Sequence, residues 1–391
     1  MAGWPAPEPS VMLSSRTPQG RRYNPCEVLK PRGRPLNLIL PCCLVLAIMA
    51  CGNSSAAPEA GTGKSGEPRP FLMGVSSVPQ KPSDDAYRDA FKFAATAGEV
   101  ILIQRVPPWE EFEPGGTISD RTKNLTRLER DLAHDNGLKL FLAIDPTDPA
   151  DRGRLAALPD DLRGRDFTDN RIRAAFISYA KYLALNYKPA YLALGVEVDM
   201  FFNRRGDEAF RSFQSLYFEA YDAVKDVSAA TLVFPTFQYE NMQALLSLGP
   251  PSQPTWALVN RFDPKLDAVA ISSFPGFAFT RVDRLPQEYF SQLKTRYQKP
   301  LIFASIGWTS GPSPEGGSLE GDQATFLRRA MSEAEELGAL VFVWYLGRDV
   351  EDAPLPAFAP LATMGLLRAD GRAKVSWAIW RTYLGRPPGT R

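Results

Sequence analysis

The chain has 391 residues, 44% hydrophobic and 23% charged, the composition of a soluble globular protein long enough for one large domain or two ordinary ones. Its 45 Lys and Arg nearly cancel its 44 Asp and Glu, so no basic excess argues for a nucleic-acid partner. The four cysteines, Cys26, Cys42, Cys43 and Cys51, all precede the expected folded region, and His134 is the only histidine. A disulfide framework, a thiolate metal site and a Cys nucleophile are thereby excluded from the main domain. A Ser-His-Asp triad would depend on His134 alone, and that residue sits in LAHDNG near a predicted helix end, where a surface role is expected. Acid/base chemistry must rest on carboxylates, Tyr or Lys, and nothing calls for a metal or an organic cofactor.

The first element is an export signal. Leu36 to Ala50 (LNLILPCCLVLAIMA) is a short apolar run preceded by Arg32 and Arg34, too short for a comfortable membrane span. It ends Ile48-Met49-Ala50-Cys51-Gly52, which resembles a bacterial lipobox. That resemblance implies a signal peptide over 1–51, with Cys51 lipidated and the protein exported and anchored in the cell envelope. An ordinary signal peptide with an incidental cysteine is the alternative. Residues 52–70 (GNSSAAPEAGTGKSGEPRP, from Gly52) have the small, polar, Pro/Gly-rich composition of a flexible linker.

From Phe71 onward, apolar β-type runs alternate with amphipathic helical stretches. The predicted strands are Phe71–Ser76, Val100–Arg105, Lys139–Ile144, Ala190–Val198, Thr231–Phe237, Ala268–Ser273, Pro300–Ser305 and Leu340–Tyr345. Between them, Asn170 to Asn186 places Ile172, Phe176, Tyr179 and Leu183 at helical spacing, and Asp322 to Leu337 is a second clear amphipathic stretch. Gly98, Gly137 and Gly338 stand where a left-handed residue would end a helix before the next strand. Eight βα units over residues 71–391 predict a single-domain α/β fold, the (β/α)8 TIM barrel. An open doubly wound sheet is the alternative, but VSSVPQ after the first strand holds no phosphate-binding glycine.

In such a barrel the site lies at the C-terminal ends of the strands. The fourth strand ends Gly195-Val196-Glu197; Asp267 leads to Ser272-Ser273-Phe274-Pro275 on the sixth; Lys299-Pro300 leads to Ser305-Ile306-Gly307-Trp308 on the seventh; Trp344 lies on the eighth. In order and spacing these segments resemble the clan A glycoside hydrolases, the barrel enzymes that include endo-galactanases and many β-glycanases. The resemblance implies Glu197 as the general acid. It also places Ser305 where the family carries its nucleophilic Glu, Val196 where the family carries Asn, and Phe274 where it carries Tyr.

Glycoside hydrolysis needs one carboxylic acid and normally a second carboxylate as nucleophile or base. An unactivated serine hydroxyl does not replace that nucleophile. Other acids end strands around the same mouth: Asp145, Asp199, Glu240 and Asp349. Glu240 is the first choice for an inverting base, and Asp199 shares a side with Glu197 if the strand stays extended. For each, a loop ion pair or a helix cap is the plain alternative. Arg105, ending the second strand, is the expected partner of Glu197 or of substrate hydroxyls, with a purely structural ion pair as the equal alternative. Trp109, Trp308 and Trp344, with Gln238 and Tyr239, would line the rim for sugar stacking and hydrogen bonding. Three functions stay open: a surface-tethered barrel hydrolysing a glycan, a catalytically inactive one binding carbohydrate or a protein partner, or a structural envelope lipoprotein whose rim residues only close the fold. The expected partners are thus a poly- or oligosaccharide and, through the anchor, a membrane.

Overall fold

The computed structural model describes residues 66–246, 253–311, 320–351 and 356–389. The expected export signal, Cys51 and most of the expected linker fall outside the described residues. No helix among the described residues is long and apolar enough to cross a membrane.

The eight strands form where the apolar runs predict them. They are β1 (Leu72–Ser76), β2 (Val100–Arg105), β3 (Lys139–Ile144), β4 (Tyr191–Leu194), β5 in two segments (Leu232–Phe234 and Thr236–Gln238), β6 (Val269–Ser273), β7 (Leu301–Ile306) and β8 (Val341–Trp344). All neighbours pair in parallel: β4-β3-β2-β1-β8-β7-β6 run in sequence around the sheet, with β8 returning to β1. The first segment of β5 pairs with β4 and the second with β6, so the fifth strand closes the barrel. Its break falls at Pro235, a residue without the amide hydrogen that a continuous ladder requires. The β2–β3 register is unbroken from Val100 opposite Lys139 to Arg105 opposite Ile144, which fixes which side chains reach the mouth.

Helices α1 (Asp84–Ala97), α2 (Asp120–Asp135), α3 (Asn170–Tyr187), α4 (Val198–Val227), α5 (Glu320–Glu336) and α6 (Val375–Leu384) run outside the barrel. Side-chain caps start three of them: Ser83 accepts from Ala86 N, Ser119 from Thr122 N, and Asp169 from Arg171 N. Apolar faces explain their docking; α3 buries Ile172, Phe176, Tyr179 and Leu183, as their spacing predicts. After β5 and β6 the full-length helix is missing among the described residues. A 3-10 segment (Trp256–Phe262) and the short helix Gln292–Arg296 stand there instead. Pro254, just ahead of the first of these, is unfavourable in a helix interior.

Gly137 (φ 66°) and Gly338 (φ 64°) adopt the left-handed conformation expected of them. Gly98 does not: its φ of 166° is extended backbone. A side chain there is prohibited for another reason, since a Cβ would lie 2.2 Å from Met73 O.

The two ends of the described chain meet beneath the strand starts. Arg69, buried, donates through Nε to Arg386 O at 3.1 Å and pairs with Glu99, just ahead of β2. Arg386 in turn holds Glu335 at the end of α5 at 2.7 Å. These contacts close the N-terminal face of the barrel under β1, β2 and β8.

Candidate carbohydrate site

The C-terminal end of β4 turns sharply. Gly195 has φ 125° and Glu197 φ 53°, both in the region that L side chains seldom occupy. The turn is tied to β5 on both sides: Thr236 N donates to Gly195 O at 3.0 Å, and Glu197 N donates to Thr236 Oγ1 at 3.0 Å. A non-glycine residue kept left-handed this way stores strain of about 1–3 kcal/mol, a cost that marks Glu197 as a residue held in place. Directly after it α4 begins.

The Glu197 carboxylate is buried, and β6 and a loop hairpin hold it. Ser272 Oγ donates to Oε1 at 2.7 Å, and Arg152 Nη2 donates to Oε2 at 2.9 Å. Arg152 comes from an antiparallel hairpin (Thr147–Asp148 with Asp151–Leu155) inserted after β3. Its Nη1 bridges both oxygens of Asp145, at 2.7 and 2.9 Å. Gln104 Nε2, from the end of β2, donates to Asp145 Oδ2 at 2.9 Å. One guanidinium thus stands between two carboxylates, all three side chains within 4% of full burial. Burial disfavours the charge on Arg152, but Asp145 and Glu197 outweigh it and hold the guanidinium well above its ordinary range.

Ser305 lies on β7 directly opposite Ser272 in the ladder, one strand away from the contact that holds Glu197. Tyr345, following β8, is close enough to Glu197 and Arg152 to feel both charges, and burial pushes its phenol well up. Its ring meets Phe274 edge-on at 5.6 Å between centroids.

A second buried acid set lies beside the first. Glu240 accepts from Gln238 Nε2, Ser273 Oγ, Phe274 N at 3.0 Å and Tyr289 Oη at 2.9 Å. Every one of these donors is uncharged, and burial raises the carboxyl above its usual range. Asp199 accepts from Gln238 N at 2.8 Å and Asn241 Nδ2 at 2.6 Å; burial pushes it up to about 7, with the Glu197 charge adding to the rise. The sets join at the end of β6, where Ser272 serves Glu197 and the adjacent Ser273 serves Glu240.

The structure places several of the expected site residues away from Glu197. Arg105 does not reach it and makes the structural ion pair that was its alternative. Side chains alternate along β2, so Gln104 turns inward to Asp145 and Arg105 turns out to Glu129 on α2. There Tyr87 and Tyr187 also donate to Glu129, forming a buried structural knot between barrel and helices. Four donors occupy the two oxygens of Glu240. Asp199 lies in the first turn of α4 rather than on an extended strand, and it braces Gln238 and Asn241. Gln238 correspondingly spends its amide on Glu240 and Asn241 N instead of lining a rim.

The three tryptophans are wall residues. Trp109 is 1% exposed, with Nε1 donating to Ala156 O at 2.8 Å; Trp344 is fully buried, with Nε1 donating to Met364 O at 2.6 Å. Trp308, 1% exposed, packs on Phe326 at 5.3 Å. All three rings are buried in the packing, and the N–H groups of Trp109 and Trp344 are satisfied by backbone carbonyls. Tyr239, also buried, donates to Tyr289 O at 2.6 Å. Asp349 pairs with Lys374, the loop ion pair that was its plain alternative. His134 stands exposed at the end of α2 beside Asp135. Among the described residues no cluster of His, Cys, Asp and Glu has the geometry to hold a metal ion.

Arg152 escaped the sequence reading. The available signal was indirect: Asp145 and Glu197, both in apolar strand ends, required a cation, and TDPADRGRL just after β3 supplies one.

No family model and no curated protein matches the sequence. Solved structures do. An exo-β-1,4-mannosidase from Opitutaceae bacterium strain TAV5 superposes with a TM-score of 0.59 at 16% identity, over 81% of this chain and 60% of its own. The chain therefore spans well under two thirds of that enzyme. A GH5_18 protein from Bifidobacterium longum gives 0.61 at 16% identity, over 82% and 81% of the two chains. The Ignisphaera aggregans GH53 catalytic domain gives 0.57 at 17%, over 82% and 98%. The fold is the (β/α)8 barrel that these glycoside hydrolases also have. Identities this low speak to the fold alone.

Proposed function

We propose that this protein is a lipid-tethered envelope protein whose glycoside hydrolase-like barrel binds a glycan without cleaving it. The observation that carries the reading is the state of Glu197. A general acid must hold a proton at working pH. The Arg152 guanidinium and the Ser272 hydroxyl both donate to this carboxylate, and both contacts favour its ionised form. The position on β7 that would confront it holds Ser305, and a serine needs a base to attack. The only histidine stands at the end of α2, at the opposite face of the barrel. Asp145 shares the same guanidinium, so it too is engaged.

Carbohydrate as the ligand is supported by the neighbours. One is described as a mannosidase, and a related GH5_18 structure from Streptomyces cattleya holds GlcNAc. The anchor rests on Cys51 in its lipobox-like setting.

The test pairs calorimetry with turnover. Wild type and Glu197→Gln are each titrated with Manβ1-4GlcNAc and with manno- and galacto-oligosaccharides, and each is incubated with the same sugars and product release followed. Binding by wild type with no release from either is expected. Release by wild type that disappears in Glu197→Gln would establish a hydrolase and overturn the reading.

A further inference from the structure

The N-terminal face of the barrel carries a groove under β3, β4 and β5. Its floor is apolar, from Leu138, Leu140, Pro189 and Tyr191, and no carboxylate lines it. Its cations are Arg130, Lys139 and Lys188. Arg130 is paired with Asp131 at 3.0 Å, whereas Lys139 and Lys188 are exposed and have no carboxylate within ion-pair distance among the described residues. Lys188 ends α3 in the left-handed conformation. One turn earlier, Leu185 is 49% exposed, one of the few large apolar side chains so placed, and Lys181 is exposed a turn before that. These lysines, with Leu185 on the adjoining turn of α3, give a small basic surface of the sign that anionic lipid headgroups attract.

The position of this face singles out the occupant. The described chain begins at Gly66, and Arg69, buried against Arg386 and Glu99, fixes it to the same N-terminal face. From Cys51 to Gly66 the chain advances about 15 residues, which at roughly 3.5 Å each reach no more than about 50 Å. We infer that the N-terminal face of the barrel docks on an anionic phospholipid surface through Lys139, Lys188 and Leu185, turning the sugar site away from the membrane. The inference rests on the tether reading for its geometry, and on the groove for its chemistry.

The chain from Gly52 to Arg391, which lacks both the apolar run Leu36 to Ala50 and the acylation site, is sedimented with vesicles of phosphatidylcholine alone or with roughly one third phosphatidylglycerol. Binding to the anionic vesicles only, lost at high salt and weakened on the order of tenfold by Lys139→Glu/Lys188→Glu, is expected. Leu185→Ser should weaken it further while the thermal midpoint stays put. Equal binding to both vesicles, or no change in the double variant, overturns the inference. So does displacement by inorganic phosphate at matched ionic strength, which would make the groove a phosphate site. Fatty-acid labelling of the wild type is read separately: labelling without vesicle binding removes only the docking face, and vesicle binding without labelling removes only the tether.

Discussion

At the scale of single residues, the arrangement turns on Arg152. Its two terminal nitrogens hold Asp145 and Glu197 at 2.7–2.9 Å, so removing it leaves two buried carboxylates without their cation. Arg152→Ala is therefore expected to destabilise the fold by about 3–5 kcal/mol in chemical denaturation. Glu197→Gln keeps an oxygen for the guanidinium and should cost markedly less. If the two variants unfolded at the same denaturant concentration, the bridge would not be what holds the pair. Asp199 carries a pH dependence. Burial raises its carboxyl to about 7 in the folded protein, against about 3.9 in an unfolded chain. Between those values the folded state binds more protons than the unfolded one, so stability falls as pH rises from about 4 to 7. Glu240, also raised by burial, acts in the same direction. The loss from Asp199 is about 3–4 kcal/mol at most. Denaturation of Asp199→Asn across that range should show a flatter profile than wild type, and an unchanged slope would remove Asp199 as its source.

Among the elements, the turn from β4 into α4 decides where Glu197 points. A Cβ on Gly195 would sit 2.7 Å from Phe213 Cζ and 2.8 Å from Val198 Cγ1, and the φ of 125° is itself unfavourable for an L residue. Gly195→Ala is expected to cost about 3 kcal/mol or more, combining backbone strain with overpacking. Calorimetric sugar titration should weaken with it, because the Thr236 contacts that set Glu197 depend on this turn. Retained stability together with full sugar affinity would show that the turn is not what orients the acid. The elements themselves were largely legible from sequence. Continuous apolar runs such as Val100–Arg105 and Lys139–Ile144 matched their strands residue for residue, since a strand covered on both faces has no other composition. The pairing of side chains at strand ends was less legible. Arg105 and Gln104 are neighbours in sequence, and which one faces the mouth depends on register, a property of the whole sheet. Arg152 was hidden further still, in a hairpin whose strands are two and five residues long.

For the whole molecule, Arg69 and Arg386 tie the two ends of the described chain together beneath the strand starts, at the opposite end of the strands from Glu197. Cys51 precedes all of these contacts, so removing residues 1–51 should leave the thermal midpoint unchanged while taking the protein out of the integral membrane fraction. The lysines and Leu185 of the N-terminal face would then hold it at the surface, chiefly by charge. The expected fractionation therefore has two stages: wild type stays with membranes through a high-salt wash, and the chain from Gly52 remains only until salt screens the lysines, whose reach falls to about 3 Å at 1 M. Wild type released by salt alone would mean that no lipid holds it. Resistance of the chain from Gly52 to the same wash would mean that something other than charge binds the face, and Leu185 is then the residue to change next.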